Sequence, residues 1–192
     1  MRYFIGLLLL LFIASVSCEG RKSSSQALAE DVEEFIKNVT TEVDIYVPKD
    51  YTEREVDTLM NNGYSIKIKT YSDMENSVLF TKIKDTVNYQ TYYRNFKFDI
   101  LVKIDNKVIY DETFDKKRVN KALNLKPNYT SGSSLYNFDK LAVLKSIELN
   151  NDPTLNNQVV IDVLYEIPNS NKQALHQLII DDRGKANFVY IK

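Results

Sequence analysis

One cysteine, Cys18, and one histidine, His176, are all that this chain of 192 residues holds of those two types. A lone cysteine excludes an intrachain disulfide framework, and the pair cannot make a Cys/His zinc cluster. None is needed, because one domain of this length buries a sizeable core without staples. Charge of one sign is equally scarce: 25 basic residues meet 26 acidic ones, for a formal net charge of −1. Nucleic acid, which calls for a basic surplus, is therefore not an expected partner. The N-terminal apolar run from Tyr3 to Ala14 has 12 residues, too few for a membrane-crossing helix, which takes about 20. Tryptophan is missing, no internal repeat is evident, and no Gly-x-Ser-x-Gly elbow announces a serine hydrolase.

What is present begins with an address. Arg2, the apolar run, and the small residues Ser15 and Ser17 read as a secretion signal over residues 1–17. Cys18 follows at the place where bacterial lipoprotein processing cuts, so it is the expected lipid-attachment residue. Several acyl chains (palmitate-like), each contributing about 0.8 kcal/mol per buried CH₂, would hold the protein stably at a membrane. Ser15 departs from the aliphatic residue usual in such a motif. The polar stretch "EGRKSSSQ" fits a tether, giving residues 18–26 as lipidated cysteine plus tether and 27–192 as one β-rich domain with N-terminal helices. No acidic run follows the cysteine, which favours the periplasmic side of a bacterial envelope. Sequons at Asn38 and Asn128 open a eukaryotic or viral reading, but with 18 asparagines in the chain such matches arise by chance.

Thirteen tyrosines and nine phenylalanines suit pleated, half-buried surfaces. Two helices are expected first: "QALAEDVEEFIKNV", with Leu28, Val32, Phe35, Ile36 and Val39 on one stripe, and "TEREVDTLMNNG", with Thr52 and Glu55 as a capping box, Val56, Leu59 and Met60 inward, and Gly63 as the stop. After Gly63 the period becomes two. "YSIKIKTY" and "VLFTKI" read as strands, and "FKFDILVKIDNKVIYDETF" as a hairpin turning at Asp105 and Asn106. Its apolar face is Phe96, Phe98, Ile100, Val102 and Ile104, continued by Val108, Tyr110 and Phe114. Asp115 caps a short helix carrying Val119, Ala122 and Leu123 inward. The aperiodic stretch from Asn124 to Phe138 is long for a connection and so is functional or mobile. "KLAVLKSIEL", "QVVIDVLYEI" and "ALHQLIID" are further strands, the last turning through "DDRG" into "ANFVYIK". The fold class that follows is mainly β, an antiparallel meander forming a sandwich or open barrel with short peripheral helices.

The run from "GYSIKIKTYSDM" through "YYRNFKFDILVKIDNKVIYDETFDKKRV" to "ALHQLIIDDRGKANFVYI" resembles small Bacteroidetes lipoproteins of a domain family of unknown function. The resemblance covers about two thirds of the chain and consists of strand and turn patterns. It implies a secreted, lipid-anchored, β-rich domain and carries no active-site residues with it.

Chemistry is sparse. His176 shares an alternating face with Ala174, Leu178 and Ile180, so a partly buried histidine with its hydrogen bonds satisfied is the plain account. Asp111, Glu112 and Asp115 cluster near a strand end and Asp181 and Asp182 sit in a turn, where turn chemistry explains the latter pair. For binding, Tyr89, Tyr92, Tyr93 and Arg94 in "NYQTYYRNF" could stack on a glycan or grip a peptide, with Tyr129 and Tyr136 a second candidate. The expectation is a monomeric, non-catalytic binding or envelope-associated module without cofactor or metal, joined to the membrane through acylated Cys18. A hydrolase using acidic residues is the rival from another class.

Overall fold

The computed structural model describes residues 23–37, 41–60, 63–125, 129–133, 135–151 and 157–191. Cys18, its signal sequence, Val39 and both sequon asparagines lie outside these residues. The chain divides into two compact units, one comprising the N-terminal region to Glu42 with Ile83–Asn88, the other Val43–Lys82 with Tyr89–Lys192.

The first unit contains helix α1, Ser24–Lys37. It starts earlier than the apolar spacing suggests, because Ser23 and Gln26 form a reciprocal capping box: Gln26 N–H donates to Ser23 Oγ at 3.2 Å and Ser23 N–H to Gln26 Oε1 at 3.1 Å. Residues 24–26, expected to be tether, are therefore helical. Leu28 and Val32 of the anticipated inward stripe are exposed.

The second unit is built on nine strands, some of which begin or end in the first: β1 Thr41–Val47, β2 Glu53–Leu59, β3 Tyr64–Lys84, β4 Val87–Ile104, β5 Lys107–Phe114, β6 Val143–Leu149, β7 Gln158–Glu166, β8 Gln173–Asp181 and β9 Ala186–Tyr190. They make a five-stranded sheet in the order β1-β4-β3-β2, with β5 also on β4, and a four-stranded sheet in the order β6-β7-β8-β9. The fold is thus mainly β, a sandwich of the meander β2–β5, joined by β1 alongside β4, and the meander β6–β9, with no closed barrel among the described strands. Side chains alternate as the period of two requires. Ile66 and Ile68 of β3 and Phe98, Ile100 and Val102 of β4 meet Val159, Ile161 and Val163 of β7 and Leu178 and Ile180 of β8 in one buried cluster. Each such side chain contributes about 1.5–3 kcal/mol by leaving water. Phe114 joins the sheets, stacked on Phe98 at 5.1 Å and edge-on to Phe188 at 5.4 Å.

The expected second helix is a strand. Residues 53–59 pair antiparallel with β3, setting Val56 opposite Ile68 and Thr58 opposite Ile66, while Glu55 reaches Lys67 at 2.7 Å and Glu53 reaches Lys69 at 3.1 Å across the strands. Helix-forming Glu, Arg and Leu yield here to cross-strand pairing, as tertiary context commonly dictates. Thr52, expected as a helix cap, instead accepts Ser72 N–H on its carbonyl at 2.9 Å. Strand β1 carries an alternating Val43, Ile45, Val47 pattern that the sequence reading passed over. The two short strands anticipated before Asn88 are one continuous β3 of 21 residues.

The hairpin at Asp105 and Asn106 forms with both residues at positive φ, 49° and 62°, the signature of a tight two-residue hairpin turn. Asp85 and Thr86 close the β3–β4 hairpin in the same conformation, at 49° and 66°. One detail of the apolar face differs. A bulge shifts the register between Val102 and Lys103, so Tyr110 is buried opposite Val102 whereas Val108 lies opposite Lys103 and is exposed. Helix α2, Lys116–Ala122, is capped by Asp115, whose carboxylate accepts Arg118 N–H at 2.6 Å. Val119 is buried, Leu123 packs on the core and Ala122 is exposed. Within the expected long loop, Leu125, Leu135 and buried Phe138 anchor to the core, and Phe138 begins helix α3, Phe138–Leu141.

Candidate functional site

Strand β2 ends one sheet and β6 the other, and residues of both line one concavity of the second unit. Between them runs an open groove in two stretches that share Thr52, Phe96 and Leu144, one of about 190 Å³ and one of about 390 Å³. The first is floored by Val56, Ile68 and Ile147 and edged by Glu53, Arg54 and Ser146. The second is bounded by Pro48, Tyr93, Arg94, Glu166, Pro168 and Asn169. Clefts of a few hundred Å³ with an apolar floor and a polar rim are the usual form of a binding site.

The aromatic segment anticipated as a recognition surface is divided by strand alternation. Tyr92 and Arg94 lie with Tyr46 of β1: the Tyr46 and Tyr92 rings stack at 4.8 Å, and the Arg94 guanidinium sits 4.8 Å from the Tyr46 centroid. Arg94 also donates from Nε to the Pro48 carbonyl at 3.2 Å and from Nη1 to the Met74 carbonyl at 2.6 Å. Its hydrogen bonds tie segments of the fold together. Tyr93 meets Phe80 edge-on at 5.5 Å, and its hydroxyl accepts the Asn169 amide at 3.0 Å on the groove wall. Tyr93 and Arg94 therefore border the groove, while Tyr92 does not. Tyr89 is half-buried on β4, and Tyr136 is exposed with the Lys172 amine 5.8 Å from its ring.

Three of the acidic candidates take structural partners. Glu112 pairs with Arg118 at 2.6 Å and Asp115 caps α2. Asp181 accepts Lys185 N–H at 2.8 Å and Arg183 N–H at 3.0 Å within its turn, bonds that hold its carboxyl below the usual range. A different polar cleft, of about 360 Å³, does gather carboxylates: Asp73, Asp115 and Asp139 line it together with Lys116. Burial pushes Asp73 upward, but the Asn76 amide at 2.9 Å, Glu75 N–H at 3.1 Å and Lys97 at 3.4 Å outweigh it and hold the carboxyl low. The Lys116 amine, desolvated in the same cleft, is brought down to about 8. Among the described residues no set of three His, Cys, Asp or Glu side chains is arranged to hold a metal ion.

His176 corrects the expectation of a satisfied histidine. It is 1% exposed, lies 5.4 Å from the Tyr190 ring and 6.4 Å from that of Tyr165, and neither of its nitrogens has a hydrogen-bond partner among the described residues. Burial alone drives its pKa down to about 4, so it is neutral at pH 7 and sealed from any substrate.

Sequence reasoning missed the groove because its walls come from segments far apart in the chain. The alternation in "TEVDIYV" could have revealed β1 and Tyr46; nothing local marks Leu144 or Asn169. No described helix is long and apolar enough to cross a membrane, which says nothing of strands. No protein-family model matches the chain, and no curated protein matches it in sequence.

Proposed function

We propose that this chain is a lipid-anchored, non-catalytic binding module of a bacterial envelope, held on the periplasmic side through acylated Cys18, and that the groove between β2 and β6 receives an extended peptide. The groove carries this reading. Terminal strands offer unpaired backbone groups along their outer edges, and here two such edges flank an apolar floor at Val56, Ile68, Phe96 and Ile147. A strand-like peptide satisfies both demands, with main-chain bonds to an edge and alternate side chains in the floor. The position of Cys18 at the end of the apolar run supports the anchored half of the proposal.

Selection from a random peptide library against the full chain tests the groove. Selected peptides should lose about tenfold or more in affinity on Ser146→Trp, which fills the groove, and shift with Arg54→Glu on its rim. Binders indifferent to both substitutions would place recognition elsewhere. The acidic-hydrolase reading rests on Asp73, Asp115 and Asp139 sharing a cleft. Asp73, however, is fully engaged by its amide, N–H and Lys97 partners and is not poised as an acid.

A further inference from the structure

Resting on the peptide reading of the groove, we infer that its occupant is a cationic strand, a segment with Lys or Arg at every second residue and apolar residues between. The phase of the backbone bonds on β2 starts the argument. Met60 N–H donates to the Tyr64 carbonyl at 2.8 Å and Ser72 N–H to the Thr52 carbonyl at 2.9 Å. Successive residues of an antiparallel strand turn their N–H and C=O to opposite sides. Thr52, Arg54, Val56, Thr58 and Met60 therefore bond to β3, and Glu53, Glu55, Asp57 and Leu59 present both groups at the free edge of the sheet. A guest strand takes its main-chain bonds from the acidic residues.

Those residues also set the charge it meets. Val56 and Thr58 are half-buried on the inner face of β2, whereas the side chains of Glu53, Glu55 and Asp57 are exposed on the outer face, one at every second position. Lys67 and Lys69 stand behind them on β3. Lys69 is opposite Glu55 in register but reaches Glu53 at 3.1 Å, and Lys67 is opposite Asp57 but reaches Glu55 at 2.7 Å. Asp57 is left outside any ion pair among the described residues, and each glutamate binds its lysine through one oxygen, Glu53 Oε2 and Glu55 Oε1, keeping acceptor sites on the other. Distance decides which sign the guest feels. Its backbone runs about 5 Å from that of β2 and about 10 Å from that of β3, and the longer distance is already about a Debye length at 0.1 M salt. Guest cations opposite Glu53, Glu55 and Asp57 are thus attracted, and guest carboxylates there are repelled. On the inner face the alternate guest side chains fall beside Val56 and over Ile68 and Ile147, which take apolar groups, and Arg54 on that side disfavours a cation turned inward.

The test offers the full chain three fluorescein-labelled eight-residue peptides in which valine alternates with lysine, with glutamine or with glutamate. Fluorescence polarisation reads affinity and amide hydrogen exchange reads main-chain bonding. In 50 mM salt the lysine peptide should bind about tenfold tighter than the glutamine peptide, with the glutamate peptide weakest, and the advantage should shrink several-fold in 0.5 M salt. Asp57→Asn should cost the lysine peptide about threefold and leave the glutamine peptide unchanged, and Ser146→Trp should weaken both about tenfold. The bound lysine peptide should slow exchange at Glu55 and Asp57 N–H about tenfold or more, while Arg54 and Val56 N–H, already bonded to β3, change little. Equal affinity of the lysine and glutamine peptides, lost for both in Ser146→Trp, overturns the cationic preference and leaves the peptide groove standing. Lysine-peptide binding that survives Ser146→Trp, or that leaves exchange at Glu55 and Asp57 unchanged, is adhesion to the outer face and overturns it as well. So does failure of all three peptides to bind, in which case the random-library selection decides the groove reading by itself.

Discussion

At His176 the chain buries a donor and an acceptor together, and the hydroxyl of Tyr165, whose ring centre lies 6.4 Å from the imidazole, also lacks a partner among the described residues. An apolar side chain of similar volume removes the mismatch, and such replacements are neutral or stabilising where the polar group was unpaired. His176→Leu should therefore raise unfolding free energy at pH 7 by about 1 kcal/mol, measured by urea denaturation. The pH dependence has a definite sign. With a folded value near 4 against 6.5 unfolded, the unfolded chain binds the extra proton first, so stability is full above about pH 6.5 and declines as pH falls towards 4. The loss is about 3 kcal/mol across that window. Parent and His176→Leu curves should diverge between pH 6.5 and 4.5 in the variant's favour, and parallel curves there would refute the assignment. Sequence placed this histidine on the buried face correctly, since alternation with Ala174 and Leu178 fixes the side; what it could not show was whether a partner lay across the sheet.

Turns and strand registers were legible where local chemistry decides them. Asp105 and Asn106 tolerate positive φ, and "DDRG" closes the last hairpin with Gly184 at φ 78°. Gly184 is required for a second reason, because a Cβ at that position would collide with the Ile109 carbonyl, on the residue that the β5 bulge inserts between Val108 and Tyr110. Gly184→Ala should cost about 2 kcal/mol or more in chemical denaturation, combining steric conflict with a left-handed backbone. Strand β2 was illegible for the opposite reason. In "TEREVDTLM" the residues Val56, Leu59 and Met60 satisfy a helical stripe while Val56, Thr58 and Met60 satisfy an alternating one. Pairing with Ile66 and Ile68, a dozen residues on, settles the choice. The candidate groove suffers more acutely, since Thr52, Phe96 and Leu144 come from three separate stretches of chain.

For the molecule as a whole, the sandwich of two meanders and the proposed anchor answer separate questions. Folding concerns a thiol-free body with its aromatic bridge at Phe98, Phe114 and Phe188; the proposed location concerns Cys18 alone. Cys18→Ala should abolish incorporation of a fatty-acid label and move the protein to the aqueous phase of a detergent separation without altering its melting temperature. Equal labelling of parent and variant would end the lipoprotein reading. The bare flank of β2 has one more consequence. An edge open to a guest strand is also open to the same edge on a neighbouring copy, and Glu53, Arg54, Glu55 and Asp57 space that flank with charge. Pairing of this flank with the same flank of a second copy would close a two-fold pair, and the acidic side chains that the two copies would bring together there stand against it.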